Sequence, residues 1–178
     1  ISPTCAAHVT EELGDRVALV LDGGDCTVGL ESTIVGCTGT GLTLLRPGSI
    51  SRSQIAEVAG PVDAPGGAAP RVPGSDRAHY APRTPLWLLE SGELRDVAGM
   101  ALAGGEKIAV LALGAPQPEA AGVVWRQLGP DAAGYGRRLY ATLRELDAAG
   151  VTRILVVRVP GTETWAAIDD RLRRAAAG

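Results

Sequence analysis

Four short polar segments carry the residue types that could bind an anionic substrate. They are Ser2 with Thr4, the E-S-T motif at residues 31–33, Arg46, and His79-Tyr80. A hydroxyl at a helix start or in a turn can hydrogen-bond a phosphate or carboxylate, and a guanidinium can donate two parallel hydrogen bonds to a phosphate. No G-x-S-x-G elbow surrounds Ser32, so nothing marks it as a nucleophile. The pattern indicates binding chemistry and identifies no catalytic residue.

Each of these segments also has a purely structural interpretation. Ser2, at a predicted helix start, is typical of a helix cap, and the same helix end could receive a phosphate. Ser32 and Thr33 at a strand entrance are more often part of a turn than of a site. Arg46 at a strand end could equally be a surface arginine. Tyr80 either packs on the nearest domain or acts as a lid over a ligand.

The elements that would position these residues begin with a small α/β unit in residues 1–60. We predict a helix that ends near Gly14, a helix capped by Ser51, and strands over 17–21, 33–35 and 42–45. The apolar run at 17–21 is followed by Asp22-Gly23-Gly24, as expected of a buried strand that ends in a turn. Residues 61–85 are dense in proline and glycine, so we predict a linker without regular elements.

Residues 86–178 alternate between strand and helix patterns. We predict strands over 86–89, 108–113, 122–128 and 153–159, and helices over 93–102, 131–149 and 162–177. This alternation favours an α/β fold in which a parallel sheet is covered by helices, and we predict a small Rossmann-like domain. No G-x-G-x-x-G follows its first strand, which argues against a dinucleotide site. The charged residues at 169–174 carry both signs and are expected to form a solvated helix face.

Composition excludes several classes of function. The 178 residues contain 17 Lys and Arg against 20 Asp and Glu, for a net charge of -3. No basic stripe typical of a dedicated nucleic-acid binder is present, and the apolar runs are too short to cross a membrane. The 3 cysteines lack C-x-x-C spacing and predict neither a disulfide scaffold nor a zinc site. We expect a cytoplasmic protein with no metal-ligating motif of its own.

Six ordered motifs together resemble one family. They are S-P-T at 2–4, A-x-H-V at 6–9, L-D-G-G at 21–24, G-L-E-S-T-I-V at 29–35, L-L-R-P-G-S-I at 44–50 and H-Y-A-P at 79–82. They resemble the second half of the YrdC-like catalytic domain of threonylcarbamoyl-AMP synthases, in the long two-domain form. Y-A-T-L-R-E-L-D at 140–147 and A-I-D-D-R-L-R-R-A at 167–175 resemble that form's extra domain. The resemblance implies a C-terminal part of the YrdC-like domain (1–60), a linker or lid (61–85) and a Rossmann-like C-terminal domain (86–178).

The resemblance also implies an activity. Enzymes of this family are nucleotidyltransferases that join L-threonine, bicarbonate and ATP, with Mg²⁺, into threonylcarbamoyl-adenylate and pyrophosphate for tRNA modification. A partner tRNA threonylcarbamoyl transferase complex uses the product. By motif, Ser2, Arg46 and Tyr80, or His79 beside it, are expected on the ATP side. Ser32 and Thr33 are expected on the threonine side.

The family's upstream motifs, which include K-x-R and S-A-N segments, do not occur in this chain. We therefore expect a synthase that lacks the N-terminal half of its catalytic domain and is an incomplete catalyst by itself. A second hypothesis is a non-catalytic module in which residues 86–178 bind a partner protein or, weakly, tRNA. A third, a carbamoyl-transfer protein of hydrogenase maturation, fits less well because that family lacks the C-terminal tail.

Overall fold

The computed structural model describes residues 1–38, 41–66, 69–76, 78–114 and 121–178. Its helices are α1 (Ala6–Leu13), α2 (Arg52–Ala59), α3 (Leu94–Ala103), α4 (Ala132–Asp147) and α5 (Ala166–Ala175), with 3₁₀ turns at Gly14–Arg16 and Glu163–Trp165. Its strands are β1 (Ile34–Thr38), β2 (Gly41–Arg46), β3 (Val62–Asp63), β4 (Leu86–Leu89), β5 (Ile108–Leu113), β6 (Val123–Leu128) and β7 (Arg153–Val157). None of the helices in these ranges has the length and apolarity needed to cross a membrane.

The first sheet is mixed and has the strand order β1-β2-β3. β1 and β2 pair antiparallel, and β3 joins β2 in parallel. The sequence predicts a turn at Gly39-Thr40-Gly41 between β1 and β2, and residues 39 and 40 of it lie outside the described residues. α2 begins as predicted, because the Ser51 side chain accepts from the Gln54 backbone and the Gln54 side chain accepts from the Ser51 backbone. This reciprocal cap satisfies two backbone donors that a helix start otherwise leaves open.

The second sheet confirms the predicted α/β fold. Its four strands are all parallel, in the order β4-β7-β5-β6. Alternate residues of β5 point to opposite faces: Ala109 and Leu111 pack with α4 and α5, whereas Ile108 and Val110 pack with α3. A strand covered on both faces is apolar along its whole length, and residues 108–113, where a strand was predicted, are all apolar.

The prediction of a buried strand at residues 17–21 was wrong. No strand is present there, and Leu19 and Leu21 are 74% and 85% exposed. An apolar run becomes a strand only where a neighbouring strand can satisfy its backbone hydrogen-bonding groups. None of the described strands pairs with this segment, since the two sheets consist of β1-β2-β3 and β4-β7-β5-β6.

The linker at 61–85 was predicted to have no regular element, and that was also incorrect. Val62 and Asp63 form β3, which pairs with Leu42 and Thr43 of β2. Val62 is 2% exposed, so burial of this side chain accompanies the extra strand pairing. The domain boundaries at residues 60 and 85 stay a prediction.

Gly29 brings the loop before the E-S-T motif against the helix α4. Its φ is 78°, and an added Cβ would lie 2.5 Å from the Cα and O atoms of Arg137. Only a residue without a side chain can approach a helix backbone this closely in that conformation. The segment that carries Glu31 is therefore packed directly on the C-terminal part of the chain.

Candidate functional site

The carboxylate of Glu31 lies at the centre of a largely buried hydrogen-bond network. The hydroxyl of Tyr140 donates to Oε1 and Oε2 at 3.2 and 3.0 Å. Nε of Arg171 donates to Oε2 at 2.8 Å, and the hydroxyl of Ser2 donates to Oε1. The donors come from α4, α5 and the first residues of the chain. Glu31 thus joins three segments that are far apart in sequence.

The network keeps Glu31 ionised. Burial by itself would raise the pKa of Glu31, but the hydrogen bonds from Ser2 and Arg171 outweigh it, so the pKa lies below its ordinary value. The carboxylate balances the charge of Arg171, which is completely buried. Burial, followed by the charge of Glu31, raises the pKa of Tyr140. At neutral pH the site contains a carboxylate, a guanidinium and a neutral phenol.

Arg46 ends β2, as predicted, and its side chain is buried. Nε donates to the backbone carbonyl of Ser32 at 3.0 Å, and Nη2 donates to the Ser32 hydroxyl at 3.2 Å. Nη1 donates to the carbonyl of Pro73 in the linker at 2.8 Å. One guanidinium therefore connects the E-S-T motif with the linker. A phosphate could reach this fork if the contact with Pro73 opened.

The two hydroxyls of the E-S-T motif have different partners. Ser32 is exposed, and its hydroxyl accepts from Arg46. The hydroxyl of Thr33 donates to the carbonyl of Ile50 at 2.7 Å and so holds the turn that follows β2. Gly48 lies against this motif, because a Cβ added there would be 2.3 Å from the backbone nitrogen of Thr33. Of the two predicted threonine-side residues, Ser32 is the more open to a ligand.

Tyr80 brings the linker onto the network. Its side chain is 5% exposed, and its ring centroid lies 5.6 Å from that of Tyr140. Its φ of 64° is a left-handed conformation, which costs a bulky residue about 1–3 kcal/mol and persists only where the surroundings enforce it. Burial, followed by the charge of Glu31, raises the pKa of Tyr80. His79 is exposed and packs edge-on against Tyr80, with centroids 4.0 Å apart.

Ser2 does not cap a helix, which corrects the prediction made from its type and position. α1 begins at Ala6, with Cys5 as the N-cap residue and no side-chain cap. The hydroxyl of Ser2 bonds Glu31 instead, because the chain before α1 packs against the E-S-T segment. A cavity of about 260 Å³ opens beside Ser2, Thr4, Glu31 and Tyr140. Ser2 therefore lies outside the start of α1, and the predicted phosphate contact at that helix start stays a prediction.

Arg171 was predicted to lie on a solvated helix face, and that was wrong. Its side chain is completely buried, and Asp170 pairs with both Arg171 and Arg174. A signal for this burial exists in the sequence. Ile168, Arg171, Leu172 and Ala175 follow the i, i+3, i+4, i+7 spacing of one helix face, and that face is the apolar one. An arginine in an apolar stripe indicates a buried partner, which here is Glu31.

A larger cavity of about 620 Å³ lies between α3 and the edge of the second sheet. Leu94, Val110 and Trp125 are among its lining residues, and none of the predicted site residues is. By volume alone, this cavity would be the candidate functional site. We place the candidate site at Glu31 instead, because charged and polar groups converge there and their pKa values are displaced.

The described residues do not offer Mg²⁺ a ligand set of their own. Within these residues, no group of three or more His, Cys, Asp and Glu side chains could hold a metal ion. Glu31 contributes a carboxylate, but both of its oxygens already accept hydrogen bonds. Mg²⁺ prefers carboxylates together with substrate phosphates and waters. We therefore assign no side chain of this chain to it.

Comparison with known proteins gives two matches to family models. Residues 50–177 match the model described as "Threonylcarbamoyl-AMP synthase, C-terminal domain". Residues 1–48 match the model described as "Telomere recombination".

Two curated relatives are threonylcarbamoyl-AMP synthases. The protein from Bacillus subtilis (strain 168) is 35% identical over 194 residues, which cover 99% of this chain and 54% of the relative. The protein from Pyrococcus abyssi (strain GE5 / Orsay) is 30% identical over 186 residues, which cover 98% of this chain and 54% of the relative. The chain thus spans about half the length of the curated relatives it matches.

Two solved structures share the fold. The crystal structure of P. abyssi Sua5 complexed with L-threonine superposes with a TM-score of 0.82 at 27% identity, covering 98% of this chain and 54% of that one. A second P. abyssi Sua5 structure, in which one histidine and one tyrosine are replaced by alanine, gives a TM-score of 0.84 at 27% identity, covering 98% of this chain and 53% of that one.

Proposed function

This chain belongs to the threonylcarbamoyl-AMP synthase family, and we propose that it forms part of an enzyme that makes threonylcarbamoyl-adenylate and pyrophosphate from L-threonine, bicarbonate and ATP. One observation carries the proposal. Arg46 binds both Ser32 and the linker carbonyl of Pro73, so a cation, an open hydroxyl and a covering segment meet at one strand end.

On the ATP side, the proposed ligands are Arg46, Ser2 and the linker residues His79 and Tyr80. The Arg46 guanidinium leaves Pro73 and donates to a phosphate, for which a planar fork is well suited. The hydroxyl of Ser2 donates its hydrogen to Glu31 and borders the cavity of about 260 Å³, so in this proposal its oxygen accepts from a hydroxyl or amino group of the nucleotide. The linker closes over the nucleotide and excludes water.

On the threonine side, Ser32 is the proposed direct contact. Its hydroxyl accepts from Arg46 and can donate its own hydrogen to a carboxylate. Thr33 acts less directly in this proposal, because its hydroxyl is already bonded to Ile50. Thr33 fixes the turn after β2, and this turn helps to position Arg46.

The proposed reaction needs positioning more than proton transfer from this chain. Carboxylated threonine is a carbamate whose oxygen attacks the α-phosphorus of ATP, and pyrophosphate leaves. Holding the two reactants in line lowers the barrier, and excluding water protects a labile product. Any Mg²⁺ would accompany the ATP phosphates, and no catalytic residue is assigned here. The product would pass to a tRNA threonylcarbamoyl transferase complex in the cytoplasm.

The test is pyrophosphate release from ATP that depends on both L-threonine and bicarbonate. We compare this chain with an extended chain, in which the part of the B. subtilis relative that precedes its match is fused before Ile1. Release by the extended chain alone is the expected result. Release by neither protein contradicts the synthase proposal and favours the binding-module hypothesis. If this chain releases pyrophosphate without the upstream part, the expectation that it is an incomplete catalyst is wrong.

Arg46→Ala in the extended chain tests the nucleotide role separately. We expect at least about a tenfold weaker affinity for ATP, since a charge-assisted pair of hydrogen bonds is lost. The matched control is Arg95→Ala, which removes an exposed arginine of α3. Isothermal titration calorimetry with a non-hydrolysable ATP analogue measures the affinity of both variants. Equal affinity of the two variants would show that Arg46 does not bind the nucleotide.

A further inference from the structure

Arg171 contacts Tyr80 and residues next to Ser32 and Arg46, all of which belong to the proposed ligand-binding groups. Arg171 lies on α5, and its side chain is completely buried. Nε donates to Glu31, next to Ser32, at 2.8 Å, and Nη2 donates to the carbonyl of Pro47, next to Arg46, at 3.0 Å. Its Cζ atom also lies 5.4 Å from the ring centroid of Tyr80.

These contacts require a guanidinium at this position. A buried charge is tolerated only when it is paired and its donors are satisfied. Arg171 meets this condition with Glu31, with Pro47 and with Asp170, to which Nη1 donates at 2.6 Å. A lysine would retain the charge but not the planar fork that reaches three partners in fixed directions.

Arg174, in the next turn of α5, binds the linker. Nη1 of Arg174 donates to the carbonyl of Asp76 at 2.6 Å. The backbone N–H of His79 donates to the carbonyl of Arg174 at 3.3 Å. Asp170 bridges the two arginines, because it also accepts from Arg174 at 3.0 Å. One helix thus fixes both the linker and the E-S-T segment.

We infer that Arg171 is a positioning residue that sets Glu31, Pro47 and Tyr80 relative to one another, so that α5 controls substrate affinity. This inference rests on the proposed synthase function. Arg171 has no access to substrate, since it is fully buried, and it acts through Ser32, Arg46 and Tyr80. The C-terminal helix is therefore part of the machinery that builds the substrate site.

The kinetic test compares Arg171→Lys with Arg173→Lys in the extended chain. Arg173 lies two positions away with a side chain that is 65% exposed, which makes it the matched control. We expect KM for L-threonine and for ATP to rise by about tenfold or more in Arg171→Lys, with a smaller change in kcat, because misplaced ligand-binding groups weaken binding of both substrates. Unchanged KM values in a folded Arg171→Lys protein would overturn the inference.

A second measurement does not depend on catalysis. Amide hydrogen exchange in this chain should become faster at residues 31–33 and 78–80 in Arg171→Lys, and should stay unchanged in Arg173→Lys. Faster exchange together with no synthase activity in the unsubstituted extended chain would reject the proposed function and leave the positioning role standing. Unchanged exchange would reject the positioning role, even if the unsubstituted extended chain is active.

Asp170→Asn decides the question if Arg171→Lys does not fold. This change weakens the contacts of Asp170 with Arg171 and with Arg174 and leaves both arginines in place. A rise in both KM values, smaller than tenfold, is the expected result. KM values equal to those of the unsubstituted extended chain would contradict the inference.

Discussion

Nε of Arg171 donates to Oε2 of Glu31 at 2.8 Å, although 140 positions separate the two residues. The bond joins the last helix to the segment that precedes β1. It is reinforced by Tyr140, whose hydroxyl donates to the same carboxylate. The geometry of the E-S-T motif is therefore held from the C-terminal part of the chain as well as by its own neighbours.

Arg171→Met should strongly destabilise the fold. Removing one partner leaves the Glu31 carboxylate buried without its counter-charge, which costs about 3–5 kcal/mol. Arg173→Met is the control, because Arg173 pairs with Asp169 at the surface and such pairs contribute about 0–1 kcal/mol. Urea unfolding, monitored by tryptophan fluorescence, measures the free energy of unfolding of both variants. Equal losses in the two variants would mean that Glu31 does not depend on Arg171.

Stability should fall in acid in a way that depends on Glu31. The pKa of Glu31 is lower in the folded chain than its ordinary value of 4.5, so its contribution is present above pH 4.5. The contribution is lost as the pH falls from 4.5 towards the lower folded-state pKa, because protonation breaks the pair with Arg171. Glu31→Gln should therefore flatten the decline in unfolding free energy below pH 4.5. Glu57→Gln, on the exposed side of α2, is the control.

Removing the hydroxyl of Tyr80 and removing that of Tyr140 should affect the unfolding free energy differently. Among the described residues, the buried hydroxyl of Tyr80 has no hydrogen-bond partner, whereas that of Tyr140 donates to Glu31. Tyr80→Phe should leave the unfolding free energy unchanged or raise it by about 1 kcal/mol, and Tyr140→Phe should lower it by about 1–3 kcal/mol. Parallel thermal and urea unfolding would check this. A loss in Tyr80→Phe as large as in Tyr140→Phe would indicate that the Tyr80 hydroxyl is bonded.

Gly48→Ala should displace the turn after β2. The new Cβ would lie 2.3 Å from the backbone nitrogen of Thr33, so one of the two segments must move. We expect a loss of about 1–3 kcal/mol, as for other overpacked positions, and a change in the amide resonances of Ser32 and Thr33. Gly23→Ala is the matched control, because a Cβ there meets nothing within 4 Å. Equal stability and unchanged resonances in both variants would contradict the close approach.

Local patterns determined much of the C-terminal fold. The strands β4, β5, β6 and β7 and the helices α3, α4 and α5 all occur where hydrophobic periodicity predicted them, within a few residues. Periodicity succeeds here because each element buries a regular stripe or run against the sheet. The capping box at Ser51 is equally local, since both of its hydrogen bonds span three positions. The ordered motifs also indicated the family before any contact was known.

Only the tertiary structure decided which groups meet. Ser2 and Arg171 both donate to Glu31, yet they are 29 and 140 positions away from it along the chain. No local propensity reports such a pairing, because the free energy of burying a charge depends on a partner supplied by the fold. Residues 17–21 are apolar enough for a core strand, yet Leu19 and Leu21 lie exposed, because none of the described strands pairs with this segment. The sequence by itself determined most of the elements and the family, and the packing of distant segments determined which side chains meet around Glu31.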